Sequence, residues 1–312
     1  MSEKPKSPKQ GAEAGILPSS PEFWREYAQT LCRSPETGRA LDGRFWDKAA
    51  ATYDDLEFCH DYMHQVETVV STLLEKGAIR PDHRVLDIAC GTGTYSVRMA
   101  PHCQKVVGLD ISKDMLEKLE EKKRLLKLRN IQTVRADWHK YYTDQKFDLV
   151  FVSMTPLLRS MDNIDRMLET SKKFLAIVSW AGVKENALFN SLFKELMGSS
   201  PYHHRSDIIV PFNYLYAKGL APDLSFFNGC WKRTRSVTKQ ADSLIWQLEL
   251  QRSLKSDEKE YVKKKVESLA KDGIITVKTR TRTGFMLVDK EAVKTPCCSF
   301  ILLCRTPRVY VQ

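Results

Sequence analysis

The segment that most constrains this chain is residues 85–94, VLDIACGTGT, a strand-like apolar run that ends in a glycine turn. Its apolar residues are nearly continuous, which is typical of a strand buried on both faces of a parallel sheet. Gly91 and Gly93 allow a sharp turn and let a ligand approach the backbone closely. Asp87 precedes the turn, and Asp110 closes the next apolar run. Together these residues predict a site for a positively charged nucleoside.

Strand-like and helix-like segments alternate around this turn. Strands are predicted over 84–89, 105–109, 131–135, 147–154 and 174–180. Helices are predicted over 23–31, 45–53, 62–76, 95–100, 113–128 and 164–171. After residue 182 we expect helices over 186–197 and 257–271, an irregular loop over 198–211, and β-like stretches over 224–237, 274–288 and 299–303. The alternation predicts an α/β fold, a doubly wound, mostly parallel, seven-stranded sheet of Rossmann-like type.

Three kinds of nucleotide site compete for the glycine turn. A phosphate-binding P-loop is excluded because the chain has no GxxxxGK[ST] sequence. A dinucleotide fold favours a third glycine at position 96, where this chain has Ser96. S-adenosylmethionine fits better, because it carries positive sulfonium and ammonium groups and a ribose diol. Asp87 suits the ammonium group, and Asp110 is placed to accept the two ribose hydroxyls.

The chain resembles the class I S-adenosylmethionine-dependent methyltransferases in four motifs. The matching segments are 87–93, 108–116, 130–138 and 147–154. Upstream, residues 45–54 resemble the entry helix of the branch that methylates small molecules. The resemblance covers about residues 45–182 and implies S-adenosylmethionine as the cofactor.

The resemblance implies roles for residues at the adenosine end of the cofactor. Asp110 would hold the ribose, and Ile111 would pack on the adenine. Asp137 would accept a hydrogen bond from the adenine amino group, and Trp138 would offer its backbone N–H and its ring.

Other residues are expected at the methionine end. Ala89 and Gly91 would contact the methionine through their backbone, and Gly93 completes the glycine turn of the cofactor site. Ser153 would lie near the methionine at the mouth of the acceptor pocket. Tyr53 would close over the cofactor from the N-terminal helix.

The sequence does not identify the residues that act on the methyl acceptor. A hydroxyl or protonated amine needs a general base for methyl transfer, and His139 and Tyr53 are the candidates. Met154 and Trp180, at predicted strand ends, are candidates for lining an acceptor pocket. The eight cysteines lack CxxC spacing, so we expect small core thiols in a reducing cytoplasm, with no metal site.

The predicted organisation has four parts. They are a disordered tail over 1–20, a helical lid over 21–80, the S-adenosylmethionine-binding core over 81–182, and a cap with sheet-completing strands over 183–312. The tail carries lysines and prolines but no apolar stretch, which argues against a secretory signal. No apolar run approaches the ~20 residues of a membrane span.

Charge leaves the choice of acceptor open. Residues 230–312 hold eighteen lysines and arginines against nine acidic residues, so nearly all of the net charge of +10 lies there. In residues 277–282 the basic side chains alternate, so a strand would place them on one face. We expect methyl transfer to a small molecule, including an anionic one. The alternatives are an RNA or protein methyltransferase that uses this basic quarter, and a non-catalytic regulatory protein that binds the cofactor.

Overall fold

A seven-stranded sheet forms the centre of the protein in a computed structural model, which describes residues 18–31, 39, 42–201 and 207–292. Its strands are β1 Arg84–Ile88, β2 Lys105–Asp110, β3 Ile131–Arg135, β4 Phe147–Ser153, β5 Ser171–Glu185, β6 Asp223–Ser236 and β7 Ile274–Asp289. Their order is β3-β2-β1-β4-β5-β7-β6. The first five strands run parallel, and β7 pairs antiparallel with both β5 and β6. The predicted α/β fold with a mostly parallel sheet is confirmed.

Ten α-helices surround this sheet within the described residues. They are α1 Pro21–Leu31, α2 Gly43–Tyr53, α3 His60–Glu75, α4 Ser96–Met99, α5 Lys113–Leu125, α6 Met161–Thr170, α7 Ala187–Met197, α8 Ile209–Ala217, α9 Val237–Glu249 and α10 Ser256–Ser268. Side-chain caps fix several of their starts: the hydroxyl of Ser112, for example, accepts from Met115 N–H at the start of α5.

Apolar residues on both faces of the sheet make the core. Successive residues of β4 point to opposite faces, so Val150 and Phe151, both fully buried, join different clusters. One cluster packs under α6 and α8, and the other under α3 and α5. Covering both faces explains why the parallel strands have nearly continuous apolar sequences.

Helices α7, α9 and α10 form a smaller cluster around the end of the antiparallel β6–β7 pair, and α9 and α10 connect these two strands. Its buried residues include Leu192, Leu244, Val262 and Ile275. Helix α9 was not predicted, and α8 begins inside the stretch expected to be an irregular loop. The predicted strand over 299–303 lies outside the described residues.

The N-terminal helix α2 is tied to this smaller cluster. The ring of Phe45 stacks on Trp246 of α9 with 5.4 Å between centroids, and Trp246 Nε1 donates to the carbonyl oxygen of Phe45 at 2.9 Å. Because α2 also packs on α5, it lies over the carboxyl ends of the parallel strands. No helix among the described residues is long and apolar enough to cross a membrane.

Candidate cofactor and acceptor site

Two adjoining cavities open at the carboxyl ends of β1, β2 and β4. The larger has a volume of about 1390 Å³, and the smaller about 60 Å³. The residues that line both are Trp46, Tyr53, Ala89, Gly91, Ser153, Met154, Thr155 and Pro156. The strand order reverses here, since β1 lies between β2 and β4. This is where ligands bind in open α/β sheets.

Backbone with positive φ shapes the shared wall. Ala89 and Met154 have φ of 54° and 51°, in the left-handed region that side chains other than glycine rarely adopt. They follow β1 and β4, so the chain turns sharply at the end of two neighbouring strands. Gly91, with φ of 55°, lies beside the ring of Tyr53. Strained backbone of this kind is concentrated at functional sites.

Gly93, predicted to complete the cofactor turn, lines neither cavity, and a Cβ atom on it would overlap the Leu119 side chain of α5. Its φ of 78° also favours glycine. The second glycine of the turn therefore allows α5 to pack closely, while its neighbours Thr92 and Thr94 line the larger cavity.

Asp110 lies in the wall of the smaller cavity. Its two carboxylate oxygens accept from Gly91 N–H and Ser112 N–H, each at 2.8 Å. Burial raises its pKa, and these two backbone hydrogen bonds act against that rise. An ionised carboxylate offers about four acceptor positions, so the two oxygens can still accept hydroxyl groups.

The predicted adenine residues Ile111, Asp137 and Trp138 line the same small cavity. Asp137 Oδ1 accepts from the backbone N–H of His139 at 2.9 Å and thereby caps a short 3-10 helix. Trp138 is 2% exposed, and the Arg166 guanidinium lies 4.1 Å from its ring centroid. Its Nε1–H is buried and has no hydrogen-bond partner among the described residues.

The two candidates for a general base are not supported. His139 lines neither cavity: its Nδ1 lies 3.0 Å from Asp137 Oδ1, and its Nε2 lies 3.4 Å from Asn163 Nδ2. Tyr53 does line both cavities, but burial and the nearby charge of Asp110 raise its pKa to about 12. The phenol of Tyr53 is therefore neutral at physiological pH and cannot serve as a base there.

Asp87 lies in the wall of the larger cavity and is 2% exposed. Burial raises its pKa to about 7, although the Ser96 hydroxyl donates to Oδ2 at 2.5 Å. A carboxylate that has lost its water in this way favours a cationic partner. Ser96 occupies the position of the third glycine in dinucleotide folds, and here its hydroxyl orients the acid.

An aromatic wall lies on the far side of the larger cavity. Trp180 of β5 packs against Trp231 of β6 with 5.3 Å between centroids, and Tyr62 of α3 meets Trp231 edge-on at 5.4 Å. Met154 and Trp180, both predicted to line an acceptor pocket, line this cavity.

Two arginines of this cavity, Arg233 and Arg235, were not among the predicted site residues. The signal was the alternation of Trp231, Arg233 and Arg235 in a β-like stretch. His203 and His204, in the predicted cap loop, lie outside the described residues.

Comparison with known proteins agrees with this geometry. Residues 85–176 match the model of the methyltransferase domain family. An uncharacterized protein of Haemophilus influenzae is 28% identical over 194 residues, 60% of this chain and 68% of that protein. An uncharacterized RNA methyltransferase of Chlorobaculum tepidum is 29% identical over 82 residues, 26% of this chain and 17% of that protein. The chain thus spans about two thirds of the first relative and about a sixth of the second.

Among solved structures, the N-methyltransferase NodS of Bradyrhizobium japonicum, in complex with S-adenosyl-L-homocysteine, aligns with 83% of this chain and 98% of its own. Its TM-score is 0.43 at 13% identity. The family match covers β1 to β4 and the start of β5, the segment that supplies most of the smaller cavity and part of the larger one. Residues 85–176 therefore form a methyltransferase domain, and S-adenosylmethionine is the cofactor of this protein.

Proposed function

We propose that this protein transfers a methyl group from S-adenosylmethionine to a small-molecule acceptor held in the larger cavity. The observation that carries this proposal is the cavity itself. It shares a wall with the smaller cavity, and its volume of about 1390 Å³ exceeds the ~300–1,000 Å³ typical of a site for one ligand. Cofactor and acceptor can therefore meet inside the protein.

The residues expected to hold the adenosine end of the cofactor line the smaller cavity. Asp110 would accept the ribose hydroxyls, and Ile111 would pack on the adenine. Asp137 would receive the adenine amino group, while the unpartnered Nε1–H of Trp138 is a donor that a nucleoside can satisfy. A buried donor without a partner costs free energy, which supports a ligand at this place.

The methionine end fits the wall shared by the two cavities. The backbone at Ala89 and Gly91 would contact it, with Asp87 accepting the ammonium group. Ser153 and Tyr53 would line it from the β4 end and from α2. When bound, S-adenosylmethionine supplies an activated methyl group for in-line displacement. The protein aligns the acceptor and excludes water, and Met154 and Trp180 form part of that surface.

The proposal is tested by incubating the protein with methyl-labelled S-adenosylmethionine and a cell extract. The extract is separated beforehand into fractions below and above about 3 kDa. We expect label to enter the low-mass fraction and an Asp110→Ala variant to lose this transfer. Label in the macromolecular fraction alone would refute a small-molecule acceptor. Binding of S-adenosylhomocysteine without transfer to either fraction would support a regulatory protein.

RNA methylation is the second candidate, and the outer face of the β6–β7 pair favours it. Lys232, Lys278, Arg280 and Arg282 are exposed on that face. Two of these cations are already engaged: Arg280 Nε donates to Glu185 Oε2 at 2.9 Å, and Arg282 lies 4.3 Å from the Phe226 ring centroid. RNA binding that falls steeply with salt, together with label in the RNA fraction, would establish this alternative.

A further inference from the structure

We propose that Arg233 and Arg235 form an anion subsite in the larger cavity, which binds a carboxylate or phosphate group of the methyl acceptor. This inference rests on the proposed function, because it names the chemical class of the acceptor. It identifies that acceptor as a small acid rather than a neutral or cationic molecule.

Strand geometry brings the two guanidinium groups to the same cavity. Trp231, Arg233 and Arg235 alternate along β6 and therefore point to one face, and all three line the larger cavity. Their partners Val277 and Thr279 on β7 also line the cavity.

Arg235 is a buried cation with donor capacity left over. Its side chain is 4% exposed. Nε donates to Asp55 Oδ2 at 2.6 Å, and Nη2 donates to the Thr52 carbonyl oxygen at 3.0 Å. Nη1 is buried and has no hydrogen-bond partner within the part of the chain that the structure describes. Buried arginine donors are normally satisfied, so this nitrogen points to a ligand.

Arg233 lacks even the carboxylate that Arg235 has. The structure gives it no ion pair among the described residues, and its buried Nε has no hydrogen-bond partner there. Burial and the neighbouring charge of Arg235 lower its pKa to about 10, so it remains protonated at neutral pH. Asp55 pairs with Arg235 alone, so the positive charge of the half-buried Arg233 has no ion-pair partner among the described residues.

An anion would compensate this charge and accept the remaining N–H groups. Guanidinium groups match the planar carboxylate and the phosphate group, because both offer several acceptor oxygens. The adjacent rings of Trp231, Trp180 and Tyr62 offer an apolar surface for the rest of the molecule. The pair and this aromatic wall line the larger cavity and not the smaller one.

The same chemistry could serve the carboxylate of the cofactor, so the experiment separates the two sources. Calorimetry measures S-adenosylhomocysteine binding first, and then benzoate, benzamide and inorganic phosphate binding to the loaded protein. Wild type is compared with Arg233→Gln. The matched control is Arg280→Gln/Arg282→Gln, which removes two cations from the outer face of the same β6–β7 pair.

We expect benzoate to bind the wild type at least tenfold more tightly than the isosteric benzamide. Arg233→Gln should abolish this preference, and the control should keep it. S-adenosylhomocysteine affinity should change less than threefold in both variants. Arg235→Gln should also reduce benzoate binding. Because it breaks the ion pair with Asp55 as well, Arg233→Gln is the decisive variant. Its melting temperature should be no lower than that of the wild type, because Arg233 has no ion pair to lose.

Two results would overturn the proposal. One is that the wild type and Arg233→Gln bind benzoate with equal affinity, or that neither benzoate nor phosphate binds to the wild type. The other is a tenfold loss of S-adenosylhomocysteine affinity in Arg233→Gln, which would assign the pair to the cofactor. None of these measurements requires turnover, so they test the anion subsite independently of label transfer to the low-mass fraction.

Discussion

Replacing Asp87 with asparagine should stabilise the cofactor-free protein while weakening its binding of the cofactor. Asp87 is 2% exposed, and burial raises its pKa to about 7 despite the hydrogen bond from Ser96. The cofactor-free protein therefore bears the cost of a buried carboxylate, which we expect a cationic ammonium group to relieve. An asparagine carries no charge, and its side-chain oxygen can still accept from the Ser96 hydroxyl.

The pKa rise sets the size and the sign of the effect. The native state holds the Asp87 proton more tightly than the unfolded state, so this residue lowers the free energy of unfolding as pH rises from about 4 to about 7. At ~1.36 kcal/mol per pKa unit, the loss between pH 5 and pH 8 is about 2–3 kcal/mol. The asparagine variant lacks this loss.

Urea unfolding of both proteins at pH 5, 6, 7 and 8 measures this difference. The variant should gain about 2–3 kcal/mol relative to the wild type between pH 5 and pH 8. Asp148→Asn is the control. Burial by itself would raise the pKa of Asp148. The hydrogen bonds that its carboxylate accepts from Arg84 N–H and Lys172 outweigh burial, so the pKa is lowered. Its difference from the wild type should therefore be constant above pH 5. Parallel profiles for the wild type and Asp87→Asn would refute the reasoning.

Binding should change in the opposite direction to stability. A hydrogen bond to a charged group contributes ~1.5–3 kcal/mol, so Asp87→Asn should weaken S-adenosylhomocysteine binding at pH 8 by about tenfold or more. Wild-type affinity should fall as pH drops below 7, because the proton on Asp87 then competes with the ammonium group. The affinity of the variant should vary much less over this range.

Three further predictions test other parts of the site. Asp110→Ala should weaken S-adenosylhomocysteine binding at least tenfold in calorimetry while the circular dichroism spectrum stays native. Gly93→Ala should destabilise the protein by ~2–4 kcal/mol in urea unfolding, because it combines a positive φ with an overlap on Leu119; stability equal to the wild type would contradict that packing. Arg280→Glu/Arg282→Glu should leave small-molecule methyl transfer unchanged. Loss of transfer would show that the outer face of the β6–β7 pair contributes to the reaction.

The parallel half of the fold was predictable because its signals are local. Residues 85–94 carry both the apolar run and the glycines that end it, so the strand and its turn follow from one stretch of sequence. Helix α9 also carried a signal that was not used. Ala241, Leu244 and Leu248 lie at helical spacing, on one face that packs into the smaller cluster.

The site was predictable where its residues lie at the carboxyl ends of neighbouring parallel strands. Asp110 ends β2, Trp138 follows β3, and both line the small cavity. His139 and Gly93 are next to site residues in sequence, but local geometry turns both away from the cavities. The rest depends on long-range pairing: Trp180 and Trp231 meet because β7 joins β5 to β6. Strand order at this range is not encoded in any local pattern.

One short segment links the two halves of the site. Tyr53 is the last residue of α2, and its ring lies beside Gly91 of the glycine turn. Thr52 and Asp55, on either side of Tyr53, hold Arg235 through a carbonyl oxygen and a carboxylate. A ligand that fixes Arg235 therefore also fixes the backbone that positions Tyr53. Binding at either cavity is then expected to favour binding at the other by the same factor, because coupling between two sites is reciprocal.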